Sequence, residues 1–390
     1  MKQLGSIIGI GETKMGRYPD RTLHEMVAEA AGKAIEDAGI DKSELEAVFV
    51  GNFNGAALNG QNHMGALVTE TLGLGNIPAV RTEAACASGS LAFRMGLLSI
   101  LSGIHKVVLV GGVEKMCHQS TGTVTAAVAS AMDFLNEAAL GLTFPASFAM
   151  VANRYFHEYR NIKKEMAMCA VQAHGNALLN PNAQMPRELT LEKVLAAEPI
   201  AEPLSIFDCS LVTDGAAFVV LCASDIAPSL CKKRIVDVVG SGHAGDTLTL
   251  AGKQSITSFS ATKLAAAQAY GQAGLTPDHV NFAEVHDCFT ITQIINTEDL
   301  GFFQPGKGAD AVAAGYTARD GMKPINVSGG LKAKGHPIGA TGISQIYEVV
   351  TQIREEAGPR QLTNADIGLT HNMGGTGGTC LVHLFKGRNS

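Results

Sequence analysis

Three stretches of this sequence carry side chains suited to nucleophilic or proton-transfer chemistry. Cys86 stands in AACASGS, just ahead of an apolar helical run. A thiolate at a helix N-terminus meets the positive end of the helix dipole, so the thiol pKa is expected to fall, which is how a nucleophilic cysteine is made. A free cysteine is as often a small buried hydrophobe; the Ala, Ser and Gly around this one leave room for a substrate and tilt the balance. His336 stands in KGHPIGATG, where Pro337 fixes the backbone and the glycines permit close approach. A histidine there can serve as base or oxyanion donor, or simply cap a helix. The third stretch, EVHDCF, places His286, Asp287 and Cys288 in a row after an apolar run. Polar groups at the end of a buried strand cost free energy unless they are paired or used. Alternation along a strand points His286 and Cys288 one way and Asp287 the other, so the first two are expected in one pocket with Asp287 in support. A Gly-rich fourth stretch, THNMGGTGG (370–378), lacks the Lys-Ser/Thr ending of a phosphate loop. Its backbone amides suit an oxyanion hole instead, with His371 and Asn372 as lining or loop-structural residues.

The elements that must position these residues occur twice. Residues 22–53 and 262–289 each contain an Ala-rich helix ending in Ala-Gly-(Ile/Leu), a short polar link with Asp, and an apolar strand. Gly39 and Gly274, 235 residues apart, fall where a left-handed helix C-terminal residue belongs. A turn and helix around Cys86 then lead to the strand KVVLVGG, and a Gly-rich turn and helix around His336 lead to the strand in 365–378. Helices alternating with apolar strands predict βαβ units and largely parallel sheets, with functional residues beyond strand ends. The chain therefore divides into an N-terminal half (1–116, with a returning strand in 205–230), an inserted helix-and-loop region (117–204, with several prolines), and a C-terminal half (231–390).

Composition excludes other classes. With 390 residues, 46% apolar and 17% charged, the chain is globular. A net charge of −6 gives no basic footprint for nucleic acid. No apolar run reaches bilayer length, and the first residues read as a strand, not a cleaved leader. Eight scattered cysteines without CxxC pairs argue against a bound metal or a disulfide framework and for a reducing cytoplasm.

Taken in order, these segments resemble the thiolase family over nearly the whole chain. Cys86-Ala87-Ser88 matches the family's Cys-x-Ser and Gly335-His336-Pro337 its Gly-His-Pro. Where the family has Asn-Glu-Ala-Phe and a late Cys-x-Gly, this sequence has His286-Asp287-Cys288-Phe289 and Asn372-Met373-Gly374. That double change is similar to the sterol-carrier-protein-type thiolases, and HGNALLNPNAQ (174–184) looks like their loop domain. The resemblance implies an α/β thiolase fold, a duplicated αβαβα five-layer core with an inserted loop domain. It implies thiolytic cleavage of a 3-oxoacyl-CoA, or the reverse Claisen condensation, through an acyl-Cys86 intermediate. His336 would be the base, Cys288 the acid/base that replaces the missing late cysteine, and His286 and His336 the donors to the enolate oxygen. The backbone amides of Cys86 and Gly374 would hold the tetrahedral oxyanion, with Asp287, Asn372 and His371 in support. Coenzyme A enters as co-substrate, with no permanently bound cofactor; Ser241, Gly242 and Ser328 are the positions expected beside it. Small side chains in TVTAAVASAMDF and LGLTFPASF point to a roomy apolar acyl pocket. A homodimer or tetramer paired through strands is implied, with IPAVRTEAA compatible with such a contact, and some relatives work with a small OB-fold, zinc-ribbon-type accessory protein. Two readings compete: a decarboxylating ketoacyl synthase-like enzyme, disfavoured by Cys288 and Gly-His-Pro, and a non-catalytic acyl-CoA-binding subunit.

Overall fold

The computed structural model describes residues 2–388. Its strands are β1 (Gly5–Glu12), β2 (Ala47–Gly51), β3 (Ala79–Thr82), β4 (Val107–Glu114), β5 (Pro199–Ala201), β6 (Leu204–Ser205), β7 (Gly215–Cys222), β8 (Val236–Gly245), β9 (Phe282–Glu284), β10 (Ile367–Gly374) and β11 (Thr379–Gly387). Nine form one sheet in the order β3-β2-β4-β7-β1-β8-β11-β10-β9, and β5 and β6 pair separately. The order reads the same outward from the β1·β8 junction: an opening strand, a closing strand, then the strands between. The duplication seen in the sequence is thus a duplication of topology, and the apolar run after Asp214 returns to the first half as β7.

The sheet is mixed, which corrects the expectation of largely parallel pairing. Parallel ladders join β2 to β3 and β4, and β9 to β10. The closing strands run the other way, so β7 is antiparallel to β1 and β4, and β11 to β8 and β10, and the two halves meet through an antiparallel β1·β8 pair. The tight turn between β10 and β11 makes a hairpin, which only antiparallel strands can close.

Alternation along the strands builds the layers. Val48 and Val50 of β2 face the helices Leu23–Ala38 and Met64–Leu72, whereas Ala47 and Phe49 face the helix Ser88–Leu101. That helix and its counterpart Thr341–Ile353 share one core with strands of both halves. The helix Ser260–Ala273 covers the outer face of the second half. Helix, half-sheet, paired helices, half-sheet and helix give the five layers. A capping box of Thr22 and Glu25 starts the first helix, and Gly39 and Gly274 end theirs with φ of 68° and 65°. Between β4 and β7 the chain forms the helices Thr121–Ala129, Phe144–Glu158, Lys163–Ala177 and Leu191–Leu195. No helix among the described residues is long and apolar enough to cross a membrane.

The two central helices meet through glycine. A Cβ on Gly89 would lie 2.8 Å from the carbonyl oxygen of Gly339, and one on Gly112 would lie 2.0 Å from it. Larger residues there would push apart the two helix N-termini that flank the site.

Candidate active site

Cys86 sits on a tight turn between β3 and the helix Ser88–Leu101. The turn places Ala85 in the left-handed region, with φ of 49°, a conformation that costs a non-glycine residue on the order of 1 kcal/mol. Local hydrogen bonds hold it there: Ala85 N–H donates to Glu83 at 2.6 Å, Ala84 N–H to Ser88 Oγ at 3.0 Å, and Ser88 Oγ to the carbonyl of Ala85 at 2.6 Å. Cys86 is buried there and lines a cavity.

His336 reaches the same space from the other half. Its N–H donates to Thr213 Oγ1 at 2.9 Å, and its Nδ1 lies 2.7 Å from Thr341 Oγ1, on the first turn of the helix Thr341–Ile353. His286 follows β9, and its ring packs edge-on against that of His336 at a centroid distance of 5.3 Å. Its carbonyl accepts from Asn296 Nδ2 at 2.9 Å and from Thr292 Oγ1 at 3.1 Å, so the buried helix Thr290–Asp299 fixes it. Reactive atoms of Cys86, His286 and His336 all lie within 4.8 Å of one another. That is also metal-site spacing.

Cys86, Cys288 and His336 line one apolar cavity of about 110 Å³. Its other walls include Met116, Val124, Val128, Phe144, Phe148, Phe289 and Ile338. Asp287 points the opposite way and accepts from Leu331 N–H at 2.7 Å, as alternation predicts. It thereby ties the His286–Cys288 segment to the turn that precedes His336.

The electrostatics correct one expectation. Burial pushes the Cys86 thiol up to about 12 instead of down, against the opposing pull of a hydrogen bond from the Gly375 backbone. Burial also presses His336 down to about 3 and His286 well below its ordinary value. Cys288 is raised well above the ordinary thiol range, by burial first and then by the nearness of Cys86. The resting site is therefore neutral: two thiols and two uncharged imidazoles. The helix N-termini act on charge that develops during reaction, not on the resting thiol.

Other expected residues fall differently. Gly375 (φ 59°), not Gly374, offers its N–H to Cys86 and lines the cavity. Gly374 has a packing role, since a Cβ there would lie 2.4 Å from the carbonyl of Ala84. Asn372 Nδ2 is 2.9 Å from His286 Nδ1, which makes it a direct neighbour of the site. His371 is buried with both ring nitrogens engaged, Nδ1 by His286 N–H at 3.3 Å and Nε2 by Thr262 Oγ1 at 3.0 Å. The three positions expected beside CoA do not line the cavity. Ser241 Oγ is bound by Arg94 at 2.9 Å and His383 at 3.0 Å. A Cβ on Gly242 would meet the carbonyl of Ala265 at 1.8 Å. Ser328 Oγ donates to Glu284 at 2.5 Å. Each is consumed by packing between strand and helix or strand and turn. The two inserted stretches expected to wall an apolar acyl pocket do line the cavity, but through Val124, Val128, Phe144 and Phe148 and not through their small residues.

Glu114, at the end of β4, was not singled out in the sequence. Its buried carboxylate accepts from Phe53 N–H, Asn54 N–H, Gly339 N–H and Asn52 Nδ2, at 2.9 to 3.0 Å. It joins the loop after β2 to the turn after His336, and burial still raises its pKa to about 7. A Glu closing an otherwise apolar eight-residue strand is the signal that marks it.

Comparison with known proteins gives the family. The thiolase N-terminal domain matches residues 6–225, and the thiolase C-terminal domain-like family matches 242–387. An acetyl-CoA acetyltransferase of Methanothermobacter thermautotrophicus is 46% identical over 98% of this chain and 99% of its own length. One from Methanocaldococcus jannaschii is 43% identical over 98% of each. Human sterol carrier protein 2 is 32% identical over 97% of this chain and 71% of its own length. Among solved structures, an Ltp2-ChsH2(DUF35) aldolase superposes with a TM-score of 0.82 at 26% identity, covering 97% of each chain. The chain belongs to the thiolase family of acyltransferases.

Proposed function

We propose that this thiolase exchanges short acyl groups between Cys86 and coenzyme A, cleaving acetoacetyl-CoA or a close homologue and forming it in reverse. The observation that carries this reading is the cavity holding Cys86, Cys288 and His336 together, with His286 against His336. In the cleavage direction His336 takes the Cys86 proton, and the sulfur attacks the 3-keto carbon. The bond between C2 and C3 breaks. The enolate of the shorter acyl-CoA leaves with its oxygen held by His286 and His336, and the Cys288 thiol delivers a proton to C2. The thiol of free CoA then releases the acyl group from Cys86. The Gly375 N–H and the Cys86 N–H serve the tetrahedral oxyanion at the acyl carbon. Intact protein mass after incubation with acetyl-CoA tests the scheme: an acetyl adduct mapping to Cys86 is expected, and its absence contradicts the intermediate.

The acyl-chain range follows from volume. The cavity of about 110 Å³ beside Cys86 is walled by large apolar side chains, which favours a short acyl group. Phe144, Phe148 and Phe289 close it as a stacked column, with centroid distances of 6.4 and 4.7 Å. Thiolysis across a chain-length panel is expected to be fastest with acetoacetyl-CoA. The Phe144→Ala variant should gain on longer substrates by several-fold per methylene, since each buried CH₂ is worth about 0.8 kcal/mol. An unchanged chain-length profile would remove the column from specificity.

The acetyl-CoA acetyltransferases of Methanothermobacter thermautotrophicus and Methanocaldococcus jannaschii, as relatives of this chain, support the acetyl preference. The aldolase neighbour's pairing with a DUF35 protein supports an accessory protein of the small OB-fold, zinc-ribbon type. A pull-down from the source cell tests for it, and full activity of the protein alone would make it dispensable. β3, at the sheet edge with Val80 exposed, supports self-association through that strand. The insert 117–204 serves as the loop domain walling the acyl site.

A further inference from the structure

His336 and His286 differ in what holds their Nδ1 atoms. Thr341 Oγ1 stands 2.7 Å from His336 Nδ1 and donates its own proton to the carbonyl of Pro337 at 3.0 Å. A hydroxyl has one proton to give. With that proton given to Pro337, Thr341 accepts from His336, an arrangement that places a hydrogen on Nδ1 and leaves Nε2 bare for the Cys86 thiol. His286 Nδ1 instead faces Asn372 Nδ2 at 2.9 Å. An amide nitrogen only donates, so here Nδ1 is bare and the hydrogen is on Nε2. That Nε2 is fully buried, has no partner, and belongs to the ring packed edge-on against His336. Burial keeps both rings neutral, so each has one tautomer to choose.

We propose that Thr341 and Asn372 lock the two imidazoles in opposite tautomers, so that beside Cys86 one ring presents a lone pair and the other an N–H. The lone pair of His336 Nε2 takes the thiol proton. The N–H of His286 Nε2 meets the enolate oxygen when the bond between C2 and C3 breaks. Neither job can be done by the other tautomer: a bare Nε2 on His286 would repel an enolate oxygen, and a protonated Nε2 on neutral His336 could not accept. Asn372 and Thr341 are positioning residues, since they act through the histidines. This also gives a physical reason for Asn at 372 beside His at 286: the amide supplies the donor that directs the ring. The inference rests on the roles proposed for Cys86 and His286.

The substitution Asn372→Asp reverses the instruction, because a carboxylate only accepts and therefore draws the His286 proton to Nδ1. Carbon–carbon cleavage and condensation are expected to fall on the order of 10²-fold, the loss usual for one oxyanion donor. Acetylation of Cys86 by acetyl-CoA should change only a few-fold, because its oxyanion meets other donors. Asn372→Ala should fall between wild type and Asn372→Asp. Thr341→Val should slow acetylation of Cys86 itself, and Thr341→Ser should restore it. Nitrogen-15 chemical shifts of labelled histidines read the tautomers directly, with the two rings assigned by their single-site variants. The expected spectrum has His286 protonated at Nε2 and His336 at Nδ1, with His286 inverted in Asn372→Asp. A wild-type His286 protonated at Nδ1 overturns the proposal, as does an Asn372→Asp enzyme with unimpaired carbon–carbon chemistry. Failure of Cys86 to acetylate in the wild type would instead overturn the proposed function and leave the spectrum unaffected.

Discussion

Cys86→Ala is expected to lower turnover by about 10⁴-fold or more, the scale seen when a covalent nucleophile is deleted, while substrate still binds. Single-turnover assays of acyl transfer measure the loss, and calorimetric titration with acetyl-CoA checks the binding. Robust turnover by this variant would end the acyl-enzyme scheme. The electrostatics add a sharper expectation for the wild type. With its thiol pushed up to about 12 and His336 held near 3, Cys86 rests as a thiol beside a neutral imidazole. Below such a pKa the thiolate fraction rises about tenfold per pH unit. Alkylation of free-enzyme Cys86 by iodoacetamide, followed by mass spectrometry, should therefore climb steadily from pH 7 to 9. A plateau beginning near pH 6 or 7 would instead reveal a preformed thiolate, as the helix terminus alone suggests. The physical difference is one of timing. A buried thiolate without substrate has only the Gly375 N–H and its own backbone to offset lost hydration. When the 3-keto oxygen arrives, the negative charge moves onto it and is met by preorganised donors.

How much of this was legible in the sequence depends on whether the responsible forces were local. The duplication was readable because Gly39 and Gly274 need the same left-handed conformation after the same kind of helix. The alternation that separates Asp287 from His286 and Cys288 was readable because it is a property of extended backbone, and it persists although β9 ends at Glu284. The pKa of Cys86 was not, because the dipole is a one-helix property whereas burial depends on elements from both halves and the insert. The same holds for the pocket lining. Small residues in 117–150 suggested room, but whether Phe144 and Phe148 point inward is decided by Phe289, which lies more than a hundred positions away. Ser241 and Gly242 were expected beside coenzyme A and proved to be the middle of β8, where glycine is needed because the helix Ser260–Ala273 packs against the strand. The mixed sheet likewise depends on where β7 and β11 return, which no local pattern states.

Cys288→Ala is expected to separate the two chemical steps. Acetylation of Cys86 should survive, while carbon–carbon bond making and breaking fall by on the order of 10²- to 10⁴-fold, the range typical of a lost general acid or base. The Cys288 thiol is held protonated by burial and by the neighbouring Cys86, so it is primed to donate in the cleavage direction. Its position is fixed: its carbonyl accepts from Ser210 N–H at 2.8 Å, and its sulfur rests 3.8 Å from Thr292 Oγ1. No other group can step in without rearrangement. His371 has both nitrogens engaged, and Asp287 faces the turn at Leu331. His336, once it holds the Cys86 proton, is needed at the enolate oxygen. In condensation the same thiol must first lose its proton, and because making and cleavage share one proton-transfer transition state, the substitution should lower kcat/KM in both directions alike. Exchange of the acetyl-CoA methyl hydrogens with D₂O, followed by NMR, reads this proton transfer alone: the wild type should exchange and Cys288→Ala should not. Exchange or condensation at wild-type rate in Cys288→Ala would move the acid/base role off Cys288 and require another group to enter the cavity from outside its present lining.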